Sequence, residues 1–238
     1  MSEPQIILGQ TEGIHNLDMD ESRERLLRGR GYEDLSTICV RPTRGMVDIR
    51  VVESWEALQT PMNQLFTRMS IKGMEVADAY NVAIETILAH PQLRDWKYVL
   101  TLEEDNLPPA DGLKLLHERL SADSEFSAVG GLYWTKGEGG QPMIYGKPGQ
   151  VPMFAPQMPE PQSLVECNGL GMGFTLFRMD LFRDDKIERP WFKTVQENGQ
   201  AYSQDLWFFQ KAREAGHRIA CDTRVLVGHY DSREDKIW

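Results

Sequence analysis

The sequence predicts a single α/β domain in which helices flank a mainly parallel central sheet. Strand-like apolar runs and amphipathic helix-like runs alternate between residues 36 and 133, as is typical of parallel sheets built from right-handed crossovers. The chain has 238 residues without an obvious linker, which favours one large core. Residues 1–35, with one short helix at 20–27, are interpreted as an N-terminal extension of a domain that spans residues 36–238.

Composition excludes several classes of protein. The formal net charge of -10 argues against non-specific binding to nucleic acid, although a local basic patch stays compatible with it. The cysteines are odd in number and widely separated, so we interpret Cys39, Cys167 and Cys221 as reduced thiols. No apolar run approaches the ~20 residues of a membrane span, and a secretory signal is lacking. We therefore expect no membrane partner and a cytoplasmic location, which for a viral protein is the host cytoplasm.

The first predicted strand, at residues 36–40, ends in a polar turn. Pro42, Thr43 and Arg44 follow this strand, and ligands of open α/β sheets bind beyond the carboxyl ends of strands. The Arg44 guanidinium has the geometry for bidentate contacts to a phosphate. An arginine exposed in a turn is the alternative interpretation.

Two helices and a second strand come next. A short helix begins at Val52, a strand is predicted at 64–69, and apolar residues at helical spacing predict an amphipathic helix at 74–90. Asp78 and Asn81 lie towards the polar edge near the start of the second helix. They are placed to reach a ligand above the sheet or simply to face solvent.

Segment 96–107, WKYVLTLEEDNL, is the most informative stretch. Its apolar run predicts a buried strand that ends in Glu103, Glu104 and Asp105. Side chains alternate along a strand, so we expect Glu103 and Asp105 to point one way and Glu104 the other. Acids this close favour a bound divalent metal, because like charges repel unless a cation offsets them. The alternative is a solvated acidic turn before the helix predicted at 109–120.

The second half follows a strand predicted at 127–133. Residues 134–161 are rich in Gly, Pro and Met and predict loops with one or two short strands. Residues 164–177 predict a strand, a glycine-rich bend and a second strand. The glycines of this bend only superficially match a dinucleotide-binding motif, since a strand follows them instead of a helix. They instead allow a sharp bend or the close approach of a ligand.

Two polar residues near the C-terminus have two interpretations each. Asp205 lies in the first turn of a helix predicted at 203–215, where a carboxylate either complements the helix dipole or serves as a general base. His229 follows the strand-like runs 218–220 and 225–227. A histidine at a strand end is either a structural residue or a metal ligand.

Four segments, in this order, resemble the GT-A fold glycosyltransferases, in particular family-two-like and phage-type enzymes that use nucleotide sugars. The segments are STICVRPTRG, YVLTLEEDNLPP, VECNGLGMGFTLFR and SQDLWFFQKAREAGHRIACDTRVLVGH. The resemblance implies a Rossmann-like GT-A domain with a nucleotide-binding half at about 36–133 and an acceptor half at about 134–238. It also implies an enzyme that carries a DxD-like motif at residues 103–105.

The resemblance also implies a role for individual residues. Glu103, Asp105 and His229 would hold Mn2+ or Mg2+, and Asp205 would be the catalytic base of an inverting enzyme. Gln204 stands where the family usually has glutamate, and Tyr80 where it often has arginine. The residues implied to bind the nucleotide sugar are Pro42, Thr43, Arg44, Asp78, Asn81, Glu103 and Glu104. Those implied to shape the acceptor side are Trp134, Gly171 and Met172.

The predicted function is therefore the transfer of a sugar from a nucleotide-diphosphate sugar, of the UDP type, to an acceptor hydroxyl. The acceptor remains open among a glycan, a small molecule, a protein and, from the phage-type resemblance, a hydroxymethylated DNA base. A nucleotidyltransferase on a related fold and a catalytically silent protein that binds nucleotide or glycan are the alternative functions.

Overall fold

A seven-stranded sheet forms the centre of the fold. The structure is a computed structural model that describes residues 33–151, 153–197 and 200–238. The helix predicted at 20–27 lies outside these residues. The sheet strands are β1 (Thr37–Thr43), β2 (Phe66–Lys72), β3 (Tyr98–Leu102), β5 (Phe126–Leu132), β7 (Leu164–Cys167), β9 (Phe174–Arg178) and β12 (Arg218–Leu226). Their order across the sheet is β2-β1-β3-β9-β5-β12-β7. The shorter strands are β4 (Asn106–Leu107), β6 (Ile144–Tyr145), β8 (Gly169–Leu170), β10 (Val195–Glu197), β11 (Gln200–Tyr202), β13 (Gly228–Asp231) and β14 (Lys236–Ile237).

The predicted α/β class with a mainly parallel sheet is confirmed. Strands β1, β2, β3, β5 and β12 run in one direction, and only β7 and β9 run against them. Strand β9 pairs with β3 on one side and with β5 on the other. The predicted halves 36–133 and 134–238 therefore contribute to one interleaved sheet. The run predicted at 218–220 and most of the run predicted at 225–227 belong to the single strand β12, which ends at Leu226 and whose register shifts between Asp222 and Leu226.

In the described part of the chain, four α-helices cover the sheet, and side-chain caps mark the starts of two of them. They are α1 (Ile49–Ala57), α2 (Val76–Ala89), α3 (Gly112–Ala122) and α4 (Gln204–Glu214). Asp48 caps α1 by accepting a hydrogen bond from the Arg50 amide at 2.9 Å, and Glu75 caps α2 in the same way through the Ala77 amide. Such caps satisfy backbone N–H groups that have no partner within the helix.

The two faces of the sheet carry separate apolar layers. On one face Ile38 and Phe177 pack with Phe208 of α4. On the other face Leu100 packs with Trp55 of α1 and Leu116 of α3. Because a parallel sheet is buried on both faces, a ligand can reach it only at the ends of its strands. The carboxyl ends of β1 and β3 thereby meet at one edge. Within the described residues, none of the helices has the length and hydropathy needed to cross a bilayer.

Candidate active site

An open cleft with two lobes lies at the carboxyl edge of the sheet. The larger lobe has a volume of about 690 Å³ and the smaller about 450 Å³. Residues that line both lobes are Arg44, Glu104, Asp105, Lys136 and Ser232. The larger lobe also includes Pro42, Thr43, Met74, Val76, Glu103, Gly137, Gln204, Asp231 and Arg233. The cleft therefore joins the ends of β1 and β3 to the starts of α2 and α4.

The acids that follow β3 lie in a turn, and each has its own set of neighbours. The strand ends at Leu102, and the chain turns so that the Asn106 amide donates to the Glu103 carbonyl at 3.1 Å. The expected alternation of side chains therefore does not apply here, because a turn lacks the two-residue period of a strand. All three acids line the cleft, and each has its own partners.

Glu104 holds the turn after β1. Its Oε2 atom accepts hydrogen bonds from the Thr43 hydroxyl at 2.8 Å and from the Arg44 amide at 2.7 Å. Its Oε1 atom pairs with the Arg44 guanidinium. The Glu104 side chain is 11% exposed, whereas that of Arg44 is 81% exposed. Glu104 is thus a positioning residue that fixes the end of β1 while Arg44 stays open to a ligand.

Glu103 faces the inner side of the larger lobe. The Tyr80 hydroxyl of α2 donates to its Oε1 atom at 3.2 Å. Burial, followed by the nearby charges of Asp105 and Asp205, raises the pKa of Glu103 to about 8. The sequence indicated Glu103 as a metal ligand, and a cation that binds there has to displace this proton.

Asp105 is the acid with cationic neighbours. Its Oδ2 atom lies 2.5 Å from Nζ of Lys136 and 3.6 Å from Nε2 of His229. Burial acts to raise the pKa of Asp105, but its contacts with His229 and Lys136 outweigh burial and lower the pKa to about 2. Asp105 is therefore ionised near neutral pH and available to bind a cation.

Backbone pairing and one side-chain hydrogen bond position His229. Strand β13 pairs with β4, so that His229 lies opposite Asn106. The Nδ1 atom lies 2.7 Å from the Trp134 carbonyl oxygen. A carbonyl only accepts, so Nδ1 is the donor in this hydrogen bond. Metal-binding histidines commonly donate the N–H of their other ring nitrogen to a backbone carbonyl in this way, which fixes the orientation of the ring.

The Asp105 and His229 atoms fit a divalent cation that completes its shell from other sources. Their separation of 3.6 Å allows one ion to contact both atoms at metal–ligand distances of about 2.1 Å. Among the described residues, no group of three or more His, Cys, Asp or Glu side chains is arranged to hold a metal ion. Such a site therefore needs oxygens from water or from a phosphate, as is usual for Mg2+ sites.

Asp205 lies at the start of α4, next to the cleft-lining Gln204. Its side chain is buried, and its Oδ1 atom accepts a hydrogen bond from the Leu206 amide at 2.8 Å. Burial raises the pKa of Asp205, and its charge in turn contributes to the raised pKa of Glu103. The structure thus brings Asp205 close to the acids that follow β3. Of the two neighbours Gln204 and Asp205, Gln204 is the one that lines the cleft.

The remaining residues indicated by the sequence lie behind or beside the cleft. Asp78 is exposed on α2, and both ends of the Asn81 amide are bonded to the Phe192 backbone. Gly171 and Met172 are buried. Trp134 is half-buried and contributes its carbonyl to His229. None of these side chains lines either lobe.

Several cleft residues were not predicted. Lys136 belongs to a glycine-rich loop without periodicity, and Met74 and Val76 start a helix whose apolar side chains were assigned to the core. The C-terminal residues Asp231 and Arg233 follow His229. Only the cationic charge of Lys136 and Arg233 offered a signal, and isolated charges in loops are usually solvated.

Comparison with solved structures identifies the fold. A197 from STIV superposes with a TM-score of 0.60 at 18% identity, over 85% of this chain and 92% of that chain. The glycosyltransferase GalNAc-T7, solved with UDP, GalNAc and Mn2+, superposes with a TM-score of 0.57 at 10% identity, over 83% of this chain and 44% of that chain. The fold is GT-A-like. No protein-family model matches the sequence, and no curated protein matches it.

Proposed function

We propose that this protein is a metal-dependent glycosyltransferase that transfers a sugar from a nucleotide-diphosphate sugar to an acceptor hydroxyl. The observation that carries the proposal is the meeting of Asp105 and His229 in a cleft at the carboxyl edge of a GT-A-like sheet. GalNAc-T7 has the same kind of fold and was solved with UDP and Mn2+. This likeness supports a UDP-sugar and Mn2+ as the first ligands to test.

The larger lobe is the proposed donor site. Pro42, Thr43 and Arg44 line it at the end of β1, and Glu104 holds the Thr43 hydroxyl and the Arg44 amide in place. The exposed Arg44 guanidinium has the planar donor geometry that suits phosphate oxygens. We assign the nucleotide and its phosphates to these residues. Asp78 and Asn81, which do not line the lobe, are not needed for this assignment.

Asp105 and His229 are the proposed protein ligands of Mn2+ or Mg2+. The carboxylate of Asp105 is ionised, and Nε2 of His229 lies 3.6 Å from its Oδ2 atom. A cation bound there would supply Lewis-acid stabilisation of the charge on the departing nucleoside diphosphate. Glu103 is assigned to orient the Tyr80 side of the lobe instead of binding the ion.

Asp205 is the proposed general base. It would take the proton from the acceptor hydroxyl while that oxygen attacks the anomeric carbon and the bond to the diphosphate breaks. A single displacement of this kind inverts the anomeric configuration. Burial raises the pKa of Asp205, which brings the carboxylate closer to the basicity that proton transfer near neutral pH requires.

The experiment is incubation of the purified chain with UDP-sugars, Mn2+ and mixed acceptors while released UDP is measured. The proposal expects UDP release that stops when the cation is chelated and returns when Mn2+ is restored. UDP binding without turnover of any common donor would favour the catalytically silent binding protein. Failure of UDP and Mn2+ to bind at all would reject the proposed donor site.

The proposed acceptor is a molecule with a free hydroxyl, and the open cleft does not restrict it further. A glycan, a small molecule, a protein and a hydroxymethylated DNA base all meet this requirement. The net charge of -10 opposes DNA through long-range repulsion. Equal donor turnover on hydroxymethylated and unmodified DNA would eliminate the DNA acceptor.

A further inference from the structure

The backbone of a structured loop holds Lys136 where the two lobes of the cleft meet. Lys136 lies in the loop between β5 and β6, where the Thr135 amide donates to the Gln141 carbonyl at 2.9 Å. Gly137 and Gly139 have φ angles of +97° and +78°, which L side chains rarely adopt. This tight glycine-rich turn projects Lys136 into the cleft, where it lines both lobes.

The ammonium group of Lys136 contacts the oxygen atom that a cation would need. Nζ lies 2.5 Å from Oδ2 of Asp105, and the same oxygen faces Nε2 of His229 at 3.6 Å. A divalent ion that contacts this oxygen and the histidine therefore meets the positive charge of Lys136 at short range. Two cations this close repel each other, so only one of them binds Oδ2 favourably.

The lysine side chain has the freedom to change partners. The Lys136 side chain is 30% exposed and that of Asp105 is 25% exposed, so both are in contact with the open cleft. Lysine carries its charge on a flexible four-carbon stem and binds phosphate as a point charge. When a cation binds Asp105 together with a diphosphate, oxygens of that diphosphate become the nearest anionic partners for Nζ.

From this geometry we infer that Lys136 binds the donor diphosphate and competes with the divalent cation for Asp105. The inference rests on the proposed function. Lys136 neutralises Asp105 while the cleft is empty, and it neutralises the diphosphate once the cation has taken Asp105. The lysine thus opposes binding of the cation alone and favours binding of the cation together with the nucleotide.

Isothermal titration with two ligands tests this inference without an activity assay. Lys136→Met should bind Mn2+ alone about tenfold more tightly than the unmodified protein, because the competing charge is gone. At saturating Mn2+ it should bind UDP about tenfold more weakly, because a charge-assisted hydrogen bond is lost. Lys136→Arg keeps the charge and should retain both affinities of the unmodified protein within about threefold.

Lys114→Met is the control, since Lys114 is exposed on α3 and lies outside both lobes. It should change neither affinity. Unchanged or weaker Mn2+ binding by folded Lys136→Met, or unchanged UDP binding, would overturn the inference even though the proposed function stands. If Lys136→Met fails to fold, the Lys136→Arg variant decides. A tenfold loss of UDP affinity in Lys136→Arg, which keeps the charge, would also overturn the inference. Absence of Mn2+ and UDP binding by the unmodified protein would instead reject the proposed function.

Discussion

The Nε2 atom of His229 lies 3.6 Å from the Oδ2 atom of Asp105, and backbone hydrogen bonds hold both residues in place. The Tyr230 amide donates to the Asp105 carbonyl at 2.7 Å, and His229 pairs with Asn106 across β13 and β4. The joined backbones thus fix the positions from which the two side chains project. Such preorganisation is what a rigid cation site requires.

Replacing Asp105 with Asn should abolish metal-dependent turnover. The amide lacks the negative charge that attracts a divalent ion, so Mn2+ affinity should fall about a hundredfold or more. The global fold should persist, since this carboxylate lies in the open cleft. Titration with Mn2+, UDP release and thermal unfolding measure the three quantities. Asp95→Asn, at an exposed position in the turn before β3, is the control. Full activity of Asp105→Asn would show that the catalytic centre lies elsewhere.

Replacing Asp205 with Asn should lower kcat by about 10² to 10⁴, the usual contribution of a general base. UDP and Mn2+ affinities should stay near those of the unmodified protein, because Asp205 is not a proposed ligand of either. The measurement is steady-state kinetics together with UDP titration. Since the Asp205 carboxylate also accepts from the Leu206 amide, the melting temperature must be compared in parallel. A fall in UDP affinity that matches the fall in kcat would contradict the assignment as base.

Glu103 should make the metal-free protein less stable as the pH rises. Its pKa is raised from 4.5 to about 8, so between these values the folded state holds a proton that the unfolded state has lost. The stabilisation is complete below pH 4.5 and disappears as the pH passes 8, with a slope of at most roughly 1.4 kcal/mol per pH unit. Urea unfolding between pH 5 and 8 measures it.

The Glu103→Gln variant separates this effect from other titrations. Glutamine does not ionise, so the loss of stability between pH 5 and 8 should be smaller than in the unmodified protein. Asp205, whose pKa burial also raises, still titrates in the variant and leaves a residual slope. An identical pH slope in the two proteins would contradict the assigned pKa of Glu103.

Gly171→Ala should destabilise the fold by about 1 to 3 kcal/mol, the usual cost of overpacking. A Cβ atom at Gly171 would lie 2.1 Å from the Tyr133 hydroxyl oxygen, which accepts a hydrogen bond from the Gly173 amide at 2.8 Å. Tyr133→Phe removes that oxygen, so the double variant should lose less stability than the sum of the single variants. Additive losses in urea unfolding would show that the two groups do not collide.

Hydrophobic periodicity was sufficient to predict the main elements near the site. The helix predicted at 74–90 is α2, Val76–Ala89, and the apolar run that precedes the acids is β3, Tyr98–Leu102. Each buries a continuous apolar face in the core, so the periodicity is strong. The acids after β3 were predicted to be functional because three carboxylates in succession are costly without partners.

Local sequence patterns could not predict which side chains contact each other at the site. The sequence does not reveal that Glu104 bonds to Thr43 or that Lys136 reaches Asp105, since these contacts depend on how separate turns meet above the sheet. Gly171 was interpreted as part of the acceptor surface, whereas it instead makes room for Tyr133. A glycine in a bend accommodates a ligand or a neighbouring side chain equally well, and only tertiary structure distinguishes the two.

The position of β9 has a consequence for synthesis on the ribosome. Strands β3 and β5 each bond to β9 and not to each other, so a nascent chain that ends near residue 133 lacks the strand that joins them. Both strands keep unpaired edges until Phe174–Arg178 has emerged, and open edges invite pairing with other chains. Protection by a chaperone is therefore most valuable while residues 134–173 are being translated. Release of a chain truncated at 133 should lead to aggregation.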